Sequence, residues 1–518
     1  MESTGQAFRI QVSQQTADLL IEAGKNRWLE ARQDLVTAKG KGKLQTYWVV
    51  LRPPSSHSRG SMTNSSQEYE SYPSQSSTSS EGGDVVVDMN ADSMSSRDKR
   101  SFKKNLPPSV FQQTYQIEST GIQQTDRLVS WNVDVLQTLL KKLVAVRNPA
   151  MESPTDKDFT TTTLSRPGST VLDEVQEFIV LPERPAAYQQ DPNVIELPPK
   201  ALSQLREYVQ AIAANYNENP FHSFAHACHV GQSVMKLLAR VVTPEPMMGR
   251  KSSEGIMCEN KLHEFTYGIG CDPLTQFACA FAAMVHDVDH SGVPNSQLIK
   301  EQTNLASKYK EKSVAEQNSV DIAWNLLMKP RYKDLRACIY TSQEELDRFR
   351  QLVVNAVMAT DVMDKELNTL RRKRWDMAFE DKALSLMECS SEQKQQLMEL
   401  SNRKATIVIE HLIQASDVAH TMQHWHVYIK WNEKLFHEMY QAYQSGRTGV
   451  DPSLNWYQGE LNFFQYYIIP LAEKLKDCGV FGVASDEYLT YAMANREEWK
   501  SKGMDMVQQY LSKYKKTH

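Results

Sequence analysis

The sequence predicts an all-α fold for residues 165–518, preceded by a short α/β fragment and a polar linker. Apolar residues recur at helical spacing in segments such as ELDRFRQLVVNAVMATDVM and WHVYIKWNEKLFHEMYQAYQ. This region lacks the alternating pattern and hairpin turns that are typical of β-strands. Apolar residues make up 41% of the chain, enough for a large core, while the mean hydropathy of -0.52 indicates a polar segment elsewhere.

The first part of the chain divides into three stretches. Residues 1–52 contain IQVSQQTADLLIEAG, which predicts a helix, and RQDLVTAKGKGKLQTYWVVL, which predicts two strands. Residues 53–105 are rich in serine and poor in large apolar groups, which predicts a disordered linker. Residues 106–164 include DRLVSWNVDVLQTLLKKLVAVR and are expected to form a helical lead-in to the domain at 165–518.

Charge, cysteine content and hydropathy limit the partners and the compartment. The net charge of -5 supplies no basic field, so we expect no nucleic-acid partner. Seven cysteines without a C-x-x-C pair indicate a reducing compartment. No apolar run reaches the ~18 residues of a membrane span, and MESTGQAFRI lacks the pattern of a signal peptide. A soluble, cytoplasmic protein is expected, and a longer membrane-bound form stays open.

A cluster of ionisable residues follows an apolar segment in FACAFAAMVHDVDHSGVPN. His286, Asp287, Asp289 and His290 come at the end of what the small apolar residues predict to be a buried helix. Burying unpaired ionisable groups costs several kcal/mol, so the cluster needs a partner. A metal ion is the usual partner of mixed His and Asp side chains.

Other segments supply further ligand candidates. His222 and His226 in NENPFHSFAHACHV are four residues apart and are expected to share one helix face, and Asp417 in IEHLIQASDVAH lies on an apolar helix. Taken singly, each residue has an ordinary explanation, since a lone histidine is more often a core residue than a ligand. Polar residues on four apolar segments, around 226, 286, 316 and 417, together predict one internal metal site.

Six motifs resemble those of one enzyme family. NPFHSFAHA, MVHDVDHSGVPNSQL, SVAEQNS, VMATDV, ASDVAH and GELNFFQYYIIPL resemble the catalytic domain of class I 3',5'-cyclic nucleotide phosphodiesterases, in their order and approximate spacing, over about residues 165–515. A His-Asp pair alone would indicate only the wider His-Asp metal hydrolase superfamily. The resemblance implies a compact multi-helix domain of the His-Asp type.

The N-terminal fragment carries a second resemblance. KGKGKLQTYWV is similar to the C-terminal tail of a class III guanylate or adenylate cyclase domain. The order of tail, linker and phosphodiesterase resembles the end of a cyclase-phosphodiesterase fusion of the protist and diatom type. The metal-binding aspartates of a cyclase would lie before Met1, so this fragment is expected to have no cyclase activity alone.

The phosphodiesterase resemblance implies two divalent metal ions and a general acid. The tighter ion, usually Zn²⁺, would be held by His226, His286, Asp287 and Asp417. Asp287 would bridge to a second ion, Mg²⁺ or Mn²⁺, and a hydroxide shared by the two ions would be the nucleophile. His222 would be the general acid that protonates the departing O3' of the ribose.

The resemblance also implies outer residues of the site. His290 and Glu316 would orient waters of the second ion. The substrate-binding residues implied are Glu460, Phe463, Leu435 and His420. Asp289 is interpreted as a helix-end acid.

Three departures from the family pattern bear on function. Phe221-His222-Ser223 replaces Tyr-His-Asn, and Glu316-Gln317-Asn318-Ser319 replaces Glu-Asn-His-His. The base-reading glutamine of the family falls at Glu460. A glutamine amide both donates and accepts, whereas an ionised glutamate only accepts. The preference between cyclic AMP and cyclic GMP therefore stays open, with a slight lean to cyclic GMP.

The predicted function is hydrolysis of cyclic AMP, cyclic GMP or both to 5'-nucleoside monophosphates, which terminates cyclic nucleotide signalling. One alternative is a weakly active or inactive regulatory module that binds a cyclic nucleotide. Another is a His-Asp hydrolase of linear nucleotides, which ASDVAH and ELNFFQYYIIPL disfavour. A homodimer is an open alternative for the assembly.

Overall fold

The computed structural model describes residues 10–22, 29–32, 36–38, 42–49, 121–147, 169–240, 262–380 and 391–515. Contacts divide the chain into two units, Met1–Lys99 and Arg100–His518. The predicted linker at 53–105 lies outside the described residues.

The first unit contains one helix and two small antiparallel sheets. Its elements are β1 (Ile10–Ser13), α1 (Gln14–Glu22), β2 (Leu29–Ala31), β3 (Val36–Ala38), β4 (Gly42–Leu44) and β5 (Thr46–Val49). One sheet has the order β1-β5-β2, and β3 pairs with β4. The prediction of a helix from Ile10 onward is wrong for the first four residues. Ile10 and Val12 are β-branched and lie opposite Val49 and Tyr47 of β5, so strand pairing prevails over helix formation.

All regular elements described in the second unit are helices, so the predicted all-α fold is confirmed. Its α-helices are α2 (Gly121–Ala145), α3 (Pro199–Ala214), α4 (Phe224–Ala239), α5 (Pro273–Val285), α6 (Asn295–Lys300), α7 (Asn304–Lys308), α8 (Val314–Leu327), α9 (Lys333–Ile339), α10 (Gln343–Met358), α11 (Lys365–Trp375), α12 (Ser391–Asp417), α13 (Trp425–Gln444), α14 (Trp456–Phe463), α15 (Ile469–Asp477) and α16 (Val483–Tyr514). Short 3₁₀ turns and two π-helical segments, Asp376–Glu380 and Phe464–Ile468, connect or extend them.

Helix α5 is the central helix of the core. Its first turn is capped by the Asp272 carboxylate, which accepts hydrogen bonds from the N–H groups of Leu274 at 3.4 Å and Thr275 at 3.2 Å, and Pro273 occupies the first helical position. Apart from Gln276, every residue of this helix is buried. A helix that is apolar on all sides must be surrounded by other elements, so its C-terminal end delivers His286 into the interior.

Helix α2, which lies in the predicted lead-in, packs directly behind the helix that carries His226. A Cβ on Gly231 of α4 would lie 3.5 Å from the indole of Trp131, so the two helices are in close contact. The Asn132 amide also donates to the Cys228 sulfur at 3.1 Å. The core of the domain therefore includes α2.

Residues 171–181, here named the strap, cross the surfaces of α8, α10 and α12. Side chains of these helices accept hydrogen bonds from the strap's backbone N–H groups: Gln317 from Leu172, Asn355 from Gln176, Thr406 from Ile179 and Asn402 from Leu181, all at 2.8–3.1 Å. Apart from the 3₁₀ turn at Val171–Glu174, the strap belongs to no helix or sheet, and these side chains satisfy four of its backbone N–H groups.

Two buried ion pairs fix the strap. Arg350 of α10 binds both carboxylate oxygens of Glu174, at 2.8 and 2.7 Å. Arg374 of α11 pairs with Glu410 at 2.8 Å and donates to the strap carbonyls of Gln176 and Glu177. Because all four charged groups are nearly inaccessible to solvent, removing one partner would leave an unpaired buried charge.

No helix that the structure describes combines the length with the apolar character that a membrane crossing requires.

Candidate metal centre and catalytic residues

The four predicted metal ligands converge although they are far apart in sequence. His226 lies in the first turn of α4, His286 directly follows α5, and Asp417 ends α12. His226 Nε2 is 2.9 Å from Asp417 Oδ1 and 3.8 Å from Asp287 Oδ2. His286 Nε2 is 3.1 Å from Asp287 Oδ2 and 3.4 Å from Asp417 Oδ1. One small polar centre is therefore formed by His226 at the start of α4, the two residues that follow α5 and Asp417 at the end of α12.

The polar atoms in this centre are incompletely satisfied by the protein. His286 Nε2 and Asp287 Oδ2 are buried and make no hydrogen bond within the described part of the chain, although they lie within ion-pair distance. Two imidazoles and two carboxylates are a ligand set that divalent metals such as Zn²⁺ favour. His226, His286 and Asp417 also place one ligand atom each within 4.8 Å of one another. The residues therefore fit a divalent metal ion.

The neighbours of His286 orient its ring toward this centre. The backbone carbonyl of Ala283 lies 3.0 Å from Nδ1 and accepts its proton, which leaves the Nε2 lone pair free for a metal. Burial lowers the pKa of His286, but the charges of Asp287 and Asp417 prevail and raise it well above its usual range. Burial raises the pKa of Asp287, but the charge of His286 prevails and holds it well below the ordinary range. The two carboxylates therefore favour a positive charge at His286 Nε2, where a proton and a metal ion would compete for the same lone pair.

His222 lies beside the metal residues but outside their helix. The expectation that His222 and His226 share a helix face is wrong, because α4 begins at Phe224 with Ser223 as the N-cap residue. The N–H groups of Phe221 and His222 instead donate to Glu438 Oε2, at 2.8 and 2.9 Å. These bonds hold residues 221 and 222 outside α4. The two histidine rings are nevertheless only 6.2 Å apart.

Glu438 of α13 is the main partner of His222 and was not predicted from the sequence. Its Oε1 lies 2.5 Å from His222 Nδ1. Burial lowers the pKa of His222, but the charge and hydrogen bond of Glu438 prevail and raise it to about 9. The same contacts hold the pKa of Glu438 below its usual value despite burial. This pKa favours the protonated ring at neutral pH, and a quarter of the His222 side chain is exposed.

A signal for Glu438 exists in the sequence. It lies seven residues after Trp431, so the two share a face of α13, and its neighbours Phe436 and Tyr440 are apolar and buried. A single acid on a buried stretch of helix indicates a specific partner. Its partners could not be identified from spacing, because they lie 216 and 217 residues away.

His290 and Glu316 lie on two sides of the centre. The His290 ring stacks on His222 with 3.8 Å between centroids. Glu316, in the first turn of α8, accepts a hydrogen bond from Asn295 at 2.9 Å. Burial and then the nearby Asp361 raise the pKa of Glu316 to about 8. Asp289 has a backbone φ of 63° and accepts hydrogen bonds from Asn217 and Asn318, which agrees with a structural acid in a turn.

Three of the predicted substrate residues, His420, Leu435 and Phe463, are buried or partly buried. His420 is buried, and its ring centroid lies 5.5 Å from Phe221 and 6.3 Å from Trp431. Leu435 and Phe463 are partly buried against the core. The Phe463 ring stacks on Tyr467 at 5.3 Å, and burial and the charge of Asp417 raise the pKa of Tyr467 well above its usual value. This aromatic pair therefore extends toward the metal centre.

Glu460 is held by uncharged hydrogen-bond donors. The Tyr428 hydroxyl donates to Glu460 Oε2 at 2.8 Å, and the Asn432 side chain also hydrogen-bonds to the carboxyl. The indole N–H of Trp456 donates to Asn432 Oδ1 at 3.2 Å, so the amide nitrogen of Asn432 is the atom left to donate to Glu460. Burial outweighs these bonds and raises the pKa of Glu460 to about 7.

The fold is a helical domain in which two histidines and two aspartates that fit a divalent metal ion lie beside the His222–Glu438 pair. The 3'5'-cyclic nucleotide phosphodiesterase family matches residues 221–480, half of the chain. The chain belongs to this family.

Curated relatives agree with that membership. The chain is 26% identical over 284 residues to "Probable 3',5'-cyclic-AMP phosphodiesterase pde-4" of Caenorhabditis elegans, covering 53% of this chain and 36% of the relative. It is 25% identical over 242 residues to "Dual specificity calcium/calmodulin-dependent 3',5'-cyclic nucleotide phosphodiesterase 1C" of Mus musculus, covering 46% and 28%. The chain thus spans about a third of the length of these relatives.

Among solved structures, the phosphodiesterase domain of Salpingoeca rosetta rhodopsin phosphodiesterase matches with a TM-score of 0.44 and 19% sequence identity. The match covers 60% of this chain and 83% of that one.

Proposed function

We propose that the protein hydrolyses 3',5'-cyclic nucleotides to 5'-nucleoside monophosphates with the help of divalent metal ions. The observation that carries this proposal is the convergence of His226, His286, Asp287 and Asp417 next to a histidine that Glu438 keeps protonated. The family and the names of the relatives support cyclic nucleotides as the substrate class.

The four converging residues would hold the tighter metal ion, for which Zn²⁺ fits the ligand set. Asp287 has a second carboxylate oxygen that would be available to a second ion, Mg²⁺ or Mn²⁺. When bound, the ions supply an activated water as nucleophile and neutralise charge on the phosphate. Among the described residues, His226 and His286 are almost inaccessible to solvent while Asp287 and Asp417 are 13% and 20% exposed, so the carboxylates line the open side.

His222 is the general acid. Its Nδ1 is bound by Glu438, so Nε2 is the atom that can give a proton to the substrate. As the bond between phosphorus and O3' breaks, O3' takes that proton and leaves as the ribose hydroxyl. Glu438 stabilises the protonated ring before transfer and keeps its orientation afterwards. Glu316, which accepts a hydrogen bond from Asn295, would orient waters of the second ion.

The purine lies between Phe463 and Leu435, with Glu460 and His420 at its edge. If Glu460 is ionised, it only accepts hydrogen bonds and favours guanine, whose N1–H and 2-amino groups both donate. If Glu460 keeps its proton, it offers both a donor and an acceptor, as glutamine does. Burial, which outweighs the hydrogen bonds from Tyr428 and Asn432, raises the pKa of Glu460 and supports its protonated form below neutral pH.

The N-terminal fragment is proposed to be the tail of a cyclase domain, as part of a cyclase-phosphodiesterase fusion. Strands β4 and β5 lie within the KGKGKLQTYWV segment on which this proposal rests, and β3, which pairs with β4, directly precedes it. The boundaries at 52, 105 and 164, a cytoplasmic location and a homodimer stay predictions.

One assay tests the proposed function. The purified full chain is incubated with cyclic AMP or cyclic GMP, with and without added Mg²⁺, and the bound metals are measured by mass spectrometry. We expect a 5'-monophosphate product that depends on the metal. Binding of cyclic nucleotide without turnover would favour the regulatory module, and turnover of linear nucleotides alone would favour another hydrolase.

A further inference from the structure

His222 and His290 form a face-to-face pair, here named the histidine stack. Their ring centroids are 3.8 Å apart and their planes differ by 31°. The rings come from two loops, one before α4 and one after α5, that are separated by 68 residues in sequence. A contact between two flexible loops needs something that sets their relative position, because fixing each side chain costs conformational entropy.

The His290 ring is held in one orientation by its own loop. The Gly292 N–H donates to His290 Nδ1 at 3.2 Å, so Nδ1 is an acceptor and the ring proton is on Nε2. This loop needs glycine at 292. Its φ is 72°, and a Cβ would lie 3.1 Å from Asn219 Oδ1.

Asn219 ties the two loops together. Its amide nitrogen donates to the backbone carbonyl of His222 at 3.0 Å and to that of His290 at 2.7 Å. The carbonyl of His290 also accepts from Asn217 at 3.0 Å, and the carbonyl of Ser291 accepts from Arg447 at 2.8 Å. One amide group therefore fixes the backbones of both stacked residues.

We infer that His290 and Asn219 are positioning residues for His222. His290 supplies a flat surface on which the His222 ring lies, and Asn219 keeps the two rings in register. Together with Glu438 at Nδ1, they leave the His222 ring one orientation, in which Nε2 faces the substrate. This inference rests on the proposed role of His222 as the acid, and it gives His290 a function through its ring face.

A role of His290 through its ring nitrogens, as a group that orients metal-bound waters, makes the opposite prediction for a pair of substitutions. His290→Phe keeps a flat ring and removes both nitrogens, whereas His290→Asn keeps a polar donor and removes the ring. If the stack is what matters, the Phe variant should stay within about threefold of wild type in kcat, and the Asn variant should lose about 100-fold. Asn219→Leu, which has no donor at similar volume, should behave like His290→Asn.

A sulfur substrate separates positioning of the acid from general damage. In a cyclic nucleotide with sulfur in place of O3', the leaving group departs as a thiolate and needs little proton transfer, because a thiol is a much stronger acid than an alcohol. The losses in His290→Asn and Asn219→Leu should shrink to a few fold on this substrate. Equal losses on both substrates would contradict positioning of the acid, as would a His290→Phe variant as poor as His290→Asn.

The stack itself can be observed without turnover. In full-length protein labelled with ¹³C-histidine, the Hε1 proton of His222, assigned through its loss in His222→Asn, should lie upfield in wild type and His290→Phe. It should move downfield in His290→Asn and Asn219→Leu, and an unchanged shift would overturn the inference. His437→Asn is the matched control. It removes a histidine that stacks on Tyr514 at 3.9 Å outside the site, so it should leave the His222 shift unchanged. If wild type hydrolyses neither cyclic nucleotide, the proposed function fails while this measurement still decides the stack.

Discussion

Two glutamates, the buried Glu438 and the partly buried Glu460, have pKa values that are shifted in opposite directions. Glu438 accepts from two backbone N–H groups and from the charged ring of His222, and its pKa falls. Glu460 accepts from the neutral groups of Tyr428 and Asn432, and burial raises its pKa to about 7.

The difference shows that hydrogen bonds alone do not keep a buried carboxyl ionised. Both groups lose water, and both gain protein donors in exchange. Only Glu438 also gains a cation, and a nearby opposite charge favours ionisation more than neutral donors do. Ionised Glu438 can therefore keep a proton on His222. Protonated Glu460 can itself donate a hydrogen bond to a purine.

The largest effect should follow from removing the carboxyl of Asp417, which is proposed to bind the metal ion. Asp417→Ala should lose the tighter ion and more than about 1000-fold in kcat/KM, because this residue contacts both His226 and His286. His222→Asn should keep the metal and lose about 100- to 10,000-fold in rate, as removal of a general acid does. Metal content by mass spectrometry and steady-state kinetics check both, and an equal loss of metal in the two variants would contradict these roles.

Glu438→Gln replaces the charged partner of His222 with a neutral one. The acid form of His222 is needed, so activity falls as pH rises through its pKa. Without the Glu438 charge, burial should bring that pKa below its ordinary value of 6.5, and the basic limb of the kcat/KM profile should move to lower pH. At pH 8 we expect about a 100-fold loss. A basic limb that stays in place would show that Glu438 does not set the charge of His222.

Glu460→Gln makes the side chain at position 460 neutral at every pH. A carboxyl whose pKa is raised by folding destabilises the native state as pH rises from 4.5 toward 7, so the variant should gain stability over wild type in that window, by at most about 3 kcal/mol. Denaturant unfolding at several pH values measures the difference. The ratio of kcat/KM for the two cyclic nucleotides should match wild type at low pH and diverge above pH 7; an unchanged ratio throughout would mean that Glu460 does not contact the base.

The smallest effect should come from removing residues 1–105, which contain the first unit and none of the proposed site residues. Deleting residues 1–105 should leave kcat and the melting temperature nearly unchanged, because the second unit contains the whole core around α5. Deleting residues 1–147 is the informative control. It removes α2, whose Trp131 packs on Gly231 of the His226 helix, and should lower both quantities. Loss of most activity in the shorter deletion would contradict independence of the second unit.

The helical pattern and the metal residues could be predicted from the sequence, but their partners could not. Apolar periodicity reveals helices because it is local, and the resemblance to a family brings His226 and Asp417 together across 191 residues. Glu438 escaped detection because its partners are backbone groups of residues 221 and 222, which no side-chain pattern encodes. The start of α4 was misplaced for the same reason, since Glu438 holds His222 outside the helix.

The N-terminal fragment shows a different failure. Its helix was predicted, but Ile10–Ser13 was assigned to that helix because the residues are contiguous with it. Whether they form strand or helix depends on the pairing of β1 with β5, which lies 33 to 39 residues further along the chain.

The strap has a consequence for the order of folding during synthesis. Its hydrogen bonds to Thr406 and Asn402 span 227 and 221 residues, and its ion pair with Arg350 spans 176. A ribosome adds about 5–20 residues per second, so residues 171–181 wait at least ten seconds or so for α12 to be made. Until then the N–H groups of Ile179 and Leu181 have only water as partners. The contacts of greatest sequence separation therefore close last, and the nascent domain exposes the surfaces of α8 and α10 to chaperones during that interval.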